Sequence, residues 1–136
     1  MRQINEIIVH CSATKPSQKV TVADITRWHK QRGFRTIGYH YVIYQDGSVH
    51  PGRKEAEVGA HVSGRNAKSL GVCYIGGLDD KTGEPKDTRT DVQKQSLLEL
   101  LIALKHKYPT ATIHGHSEFA AKSCPCFDVK TEYKGL

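Results

Sequence analysis

The 136 residues include only four cysteines, five prolines, one methionine and one tryptophan. Each shortage excludes something. Small disulfide scaffolds usually carry more cysteines, and a chain of this length can bury a core without staples, so Cys11, Cys73, Cys124 and Cys126 read as reduced thiols. No apolar run approaches the roughly 20 residues of a membrane span, so no membrane partner is expected. Met1 to Val9 carries an arginine, a glutamate and a short apolar run. It lacks the long apolar stretch and small-residue cleavage site of a secretory signal. The expectation is a chain made in the cytoplasm that reaches the outside only with help. Repeats and low-complexity tracts are also missing, so one domain over residues 1–136 is expected.

Histidine and positive charge are abundant instead. Eight histidines raise the prior for metal or acid–base chemistry. The net charge of +6 favours polyanionic partners, among them nucleic acid and an anionic bacterial wall. No recognised nucleic-acid motif accompanies the charge, so no nucleic-acid partner is expected.

Strand and helix signals interleave along the chain. Glu6 to Cys11 is β-branched and reads as a buried strand. Thr21 is a plausible N-cap for a helix with Val22, Ile25 and Trp28 at helical spacing and Gly33 as its stop. Gly38 to Gln45 alternates as a second strand, Asp46-Gly47 is a hairpin turn signal, and Ser48 to His50 starts the return. Leu70 to Ile75 is another buried strand. Thr90 and Gln93 form a capping box for a helix to about Lys107, with a wide stripe of Val92, Leu97, Leu98, Leu101, Ile102 and Leu104. Ala111 to His114 is a last strand, followed by a loop tail with room for one short helix. The class is α/β: a single domain with a central mixed β-sheet flanked by helices.

The chemistry concentrates near the C-terminus, in His114-Gly115-His116 and Cys124-Pro125-Cys126. A catalytic zinc site takes three nitrogen or sulfur ligands and keeps one position for water. A missing partner must come from elsewhere, and His10, ending the first strand, is a good candidate if the first and last strands are neighbours. Spacing alone leaves His114 competing with His116, since alternate residues of a strand share a face, and Cys126 competing with Cys124. It also leaves open a closed structural zinc site or no metal.

The ordered segments His10-Cys11-Ser12-Ala13-Thr14-Lys15-Pro16-Ser17-Gln18, Gly38-Tyr39-His40, Gly71-Val72-Cys73 with Gly76-Gly77, and Lys122-Ser123-Cys124-Pro125 closely resemble the type-2 N-acetylmuramoyl-L-alanine amidases, whose fold peptidoglycan-recognition proteins share. The likeness runs from His10 to Asp128. It implies zinc as cofactor, His10, His116 and Cys124 as its ligands, and Tyr39 and Lys122 as catalytic residues. It implies peptidoglycan or a muropeptide as substrate, cut between N-acetylmuramic acid and L-alanine by a monomer. His61 falls where the family often has a histidine, and there it is expected to face substrate. The setting implied is a phage or prophage endolysin released through a holin, or an amidase acting on cytoplasmic muropeptides. The other reading is a non-catalytic peptidoglycan-binding receptor of the same fold; such receptors typically lack the ligand cysteine, which is present here. Cys126 departs from the small residue common at its position, and Glu118 from a more usual aspartate; Glu118 is read as a support for a ligand. His29, His40, His50 and His106 are assigned to structure, and Cys11 and Cys73 to the buried strands.

Overall fold

Parallel pairing at the centre of one five-stranded sheet sets the architecture. The structure, a computed structural model, describes residues 1–136. Its strands are β1 (Glu6–Cys11), β2 (Tyr41–Ile43), β3 (Val49–Pro51), β4 (Ser69–Tyr74) and β5 (Thr112–Gly115). They lie in the order β3-β2-β4-β1-β5. β1 runs parallel to β4 and β5, β2 runs parallel to β4, and only the β2–β3 hairpin is antiparallel. The mixed sheet expected from the sequence is therefore present. All six residues of β4 are buried, as expected of a central strand covered on both faces.

The helices are α1 (Val22–Gln31), α2 (Asp91–Lys107) and the short α3 (Val129–Glu132). Both long helices start with reciprocal capping boxes, Thr21 with Asp24 and Thr90 with Gln93, which satisfy otherwise unpaired N–H groups. α2 and α3 cover one face of the sheet, where Ile7, Val9, Val72 and Tyr74 meet Leu97, Leu101, Leu104 and Val129. α1 covers part of the other, where Ile25 packs with Ile37, Val42 and Ile75. Because strand side chains alternate, the residues of β1 between those of the α2 layer, Ile8 and His10, project to the α1 side.

Two expectations are corrected. The apolar stripe of α2 is narrower than its sequence suggests, with Val92 52% and Ile102 48% exposed. Gln93 takes the inward position: its side-chain amide donates to the carbonyls of Ile43 (3.2 Å) and Ile75 (3.0 Å), while its oxygen accepts from Thr90 N–H (2.9 Å). Those carbonyls lie at strand ends; that of Ile43 also accepts from Ile75 N–H (2.9 Å), and the Gln93 amide adds a partner to each, since a buried acceptor left unpaired is costly. The second strand is also shorter than Gly38–Gln45. The carbonyls of Tyr39 and His40 accept from the turn residues Arg53 and Gly52, so the chain bends before the regular ladder begins at Tyr41.

The C-terminal loop is held firmly. Arg89, with its side chain 1% exposed, pairs with Asp87 (2.9 Å) and Glu132 (2.8 Å) and lies 3.4 Å over the Phe127 ring. Tyr74 hydroxyl donates to the Pro125 carbonyl at 2.7 Å. The loop that carries Cys124 is thus fastened to the sheet and to α3.

Candidate active site

The register of β1 against β5 brings the site together. Val9 lies opposite Gly115, so His10 and His116 come level one residue further on, at the carboxyl ends of parallel strands. That end of a parallel sheet is where open α/β folds commonly place ligands. The two rings are 4.6 Å apart between centroids. Ser117 N–H donates to the Cys124 carbonyl (2.8 Å), and Cys11 N–H donates to the Cys124 sulfur (3.1 Å). One ligand atom from each of His10, His116 and Cys124 lies within 4.8 Å of the others. Two imidazoles and one sulfur on separate segments match a three-ligand zinc site.

The competing candidates lie elsewhere. His114 shares a face with His116 but sits two residues back along the sheet, opposite Ile8. Its Nδ1 is 2.9 Å from Glu118 and its Nε2 2.6 Å from Thr112 Oγ1. Glu118 also accepts from Gly115 N–H (2.7 Å), so it braces the backbone just ahead of His116. The Cys126 thiol donates to the Gly77 carbonyl (3.4 Å), and burial, with the neighbouring Cys11, pushes it up to about 12.

Tyr39 stands beside this trio, its ring 5.0 Å from that of His10. Gly38 puts it there, because a Cβ on Gly38 would meet the Ala60 carbonyl oxygen at 2.0 Å, so only glycine allows this close approach. The Gly38 N–H donates to Nδ1 of His29 at 2.8 Å, tying the tyrosine to α1. His29, read from the sequence as structural, holds a cleft residue and itself lines the cleft. The signal was its spacing, four residues after the buried Ile25, which puts both on one helix face. Lys122 is exposed at the rim.

His61 also lines the cleft, but its hydrogen bonds run inward. Nδ1 meets Nε2 of His10 at 2.8 Å, and Nε2 meets the Ser69 hydroxyl at 3.1 Å. The substrate-facing role expected for His61 therefore finds both ring nitrogens already engaged.

The site keeps its imidazoles neutral. Burial holds His10 well below its usual range, with His61, His116 and the Lys122 charge acting in the same direction. Burial, then Lys122, lowers His116. His61 falls to about 3 and His29 to about 4, in both cases mainly through burial. Burial raises the Tyr39 phenol well above its ordinary value, so it remains a proton donor at neutral pH. His29, Tyr39, His61 and His116, with His10 buried behind them, border a cleft of about 660 Å³, a volume ordinary for small-ligand sites. Trp28, Phe34 and Phe119 give it apolar walls, while Arg32 and Lys122 give it positive charge.

A family model described as N-acetylmuramoyl-L-alanine amidase matches residues 1–127. The endolysin of Escherichia phage T7 is 51% identical over 124 residues, covering 91% of this chain and 82% of the relative. The endolysin of Klebsiella phage KP32 is 45% identical over 129 residues, covering 95% and 85%. Among solved structures, the N-acetylmuramoyl-L-alanine amidase LysC from Clostridium intestinale URNW superposes with a TM-score of 0.81 at 30% identity, over 97% of this chain and 83% of that one. Drosophila PGRP-LB, at 24% identity and a TM-score of 0.76 over 92% of this chain and 76% of that one, shares the fold.

Proposed function

This chain belongs to the N-acetylmuramoyl-L-alanine amidase family, and from that premise we propose that it is a zinc-dependent endolysin that hydrolyses the amide between N-acetylmuramic acid and L-alanine in peptidoglycan. The observation that carries the reading is the convergence of one ligand atom from each of His10, His116 and Cys124, the last two lining the cleft. These three residues would hold the ion. A zinc ion held there supplies a Lewis acid that polarises a carbonyl and acidifies a water.

The remaining needs of the reaction fall to the chain's own side chains. Water adds to the lactyl carbonyl, negative charge grows on its oxygen, and the amine of L-alanine must gain a proton before it leaves. The positive charge of Lys122 acts on both His10 and His116, which supports a role for it in stabilising the developing oxyanion. Tyr39 keeps its phenolic proton and stands against His10, which suits it to orient the attacking water and pass a proton to the departing amine. Arg32 and Lys122 suit a substrate whose peptide stem bears carboxylates. The likeness to phage endolysins supports a substrate in the wall, reached after holin-type release, over soluble muropeptides in the cytoplasm.

Mass spectrometry of peptidoglycan digested with and without a chelator tests the bond and the metal together. Expected products are unsubstituted glycan chains and stem peptides with a new L-alanine N-terminus, both lost on chelation. New reducing sugar ends would refute the bond assignment, and chelator-resistant cleavage would refute the metal.

Lys122→Ala is expected to keep its zinc, because the side chain lies at the rim rather than among the ligands. Its kcat should fall about 10²–10³-fold, the usual cost of removing one oxyanion-stabilising donor. Steady-state release of soluble muropeptides, with metal content measured on the same sample, checks this. Loss of zinc in parallel with rate would remove the oxyanion role.

A further inference from the structure

We propose, on the zinc-amidase reading above, that His61 is a positioning residue for the metal centre: it accepts a hydrogen bond from Nε2–H of His10 and so fixes the tautomer and tilt of that ring, leaving Nδ1 of His10 for the ion. The 2.8 Å contact between His10 Nε2 and His61 Nδ1 can be made in two ways. If His61 donates, the neutral His10 ring carries its proton on Nδ1 and has no lone pair left for a metal. If His10 donates, its Nδ1 lone pair is free, and the His61 proton sits on Nε2, where it meets the Ser69 hydroxyl at 3.1 Å. Only the second arrangement permits loading, and the hydroxyl of Ser69, buried on β4, can accept the Nε2–H it requires. Metal-ligating histidines characteristically give their other N–H to an acceptor, commonly a carboxylate, carbonyl or water, which orients the ring and raises its basicity; here the acceptor is an imidazole nitrogen.

The surroundings lock His61 in this pose. Its own N–H and that of Val62 both donate to Asn66 Oδ1 at 2.9 Å. The ring lies directly over Gly71 of β4, where a Cβ would meet Cγ of His61 at 2.8 Å, and beside Gly59, where one would meet its Cδ2 at 2.9 Å. Two residues without side chains thus make the slot the imidazole fills. His61 is nevertheless outside the trio whose ligand atoms share one small volume. It touches a ligand and is not one itself, so the fourth position stays open for solvent.

The test compares His61→Ala with His61→Asn, since an asparagine carbonyl can occupy the place of Nδ1 and accept from His10. Zinc affinity is read by competition with a chromophoric chelator, and KM and kcat are then read at saturating zinc. Zinc should bind His61→Ala about 10–100-fold more weakly than wild type, with His61→Asn recovering most of the loss and KM little changed in either. Equal zinc affinity in wild type and His61→Ala, with KM raised several-fold, would make His61 a substrate contact and overturn the proposal. Should His61→Ala fail to fold, the wild-type chain still decides. Long-range 1H–15N spectra of the zinc-loaded protein should show His10 protonated on Nε2; protonation on Nδ1 overturns the proposal. A wild-type chain that takes up no zinc sinks the metal reading and this inference with it. A chain that binds zinc with His61 irrelevant sinks the inference alone.

Discussion

Cys124→Ser is expected to lose zinc and activity together, while Cys126→Ser keeps both. A serine hydroxyl does not ionise near neutral pH, so the Cys11 N–H that now points at sulfur would face a neutral oxygen, a poor zinc ligand. Zinc-site free energies of roughly 10–16 kcal/mol over four ligands assign about 2.5–4 kcal/mol to each, a loss on the order of 100-fold in affinity. Cys126 makes only a weak thiol contact to the Gly77 carbonyl, and a serine hydroxyl can replace that donor. Metal analysis of the purified variants, followed by chelator competition, measures the difference. Equal zinc loss in both variants would show that the two thiols share the ion and would overturn the choice of Cys124.

The metal-free protein is expected to lose stability steeply as the pH falls from about 6.5 toward 4. Burial holds His29 at about 4 and His61 at about 3, against an ordinary value of 6.5. The unfolded chain therefore takes up protons first, and between those values it binds more of them than the folded chain does. Stability must then rise with pH across the window. It is fully present above about 6.5 and is lost progressively down to the folded values. Each histidine contributes about 1.4 kcal/mol per pH unit, so by pH 5 the pair has cost on the order of 2–4 kcal/mol, a large share of a typical domain's 5–15 kcal/mol. His10, also held low by burial, acts in the same direction. Urea unfolding of the chelated protein at pH 7, 6 and 5 reads this as a falling midpoint. A midpoint that stays flat over that range would mean that these rings are not held neutral in the folded chain.

Local signals carried the elements well. β-branched Ile7, Ile8 and Val9, the Thr21 and Thr90 caps and the Asp46-Gly47 turn each act within a few residues, and each element formed where its signal stood. Ordered motifs scattered from His10 to Cys124 carried the family resemblance, because chemistry that needs those residue types leaves them in the chain whatever lies between. The same local patterns failed where a distant partner decided the outcome. Val92 and Ile102 fit an amphipathic stripe, but two strand-end carbonyls drew Gln93 inward and left those residues exposed. Gly38 to His40 alternates like a strand, but hydrogen bonds to Gly52 and Arg53 bend it.

The candidate site divides along the same line. The residue types, and the zinc chemistry they suit, were present in the chain before any folding. Spacing alone left His114 beside His116 and Cys126 beside Cys124 as equal claimants. The parallel register of β1 and β5 separated the histidines, and the Cys11 N–H and Gly77 carbonyl separated the thiols. His61 was visible as a histidine near glycines, where the resembled family often has one; its bonds to His10 and Ser69 arise from segments 51 and 8 residues away. Periodicity and capping are properties of neighbouring residues, so one dimension suffices for them. Which nitrogen or sulfur reaches a shared point depends on strand register and on carbonyls seeking donors, and those are set only when distant segments pack.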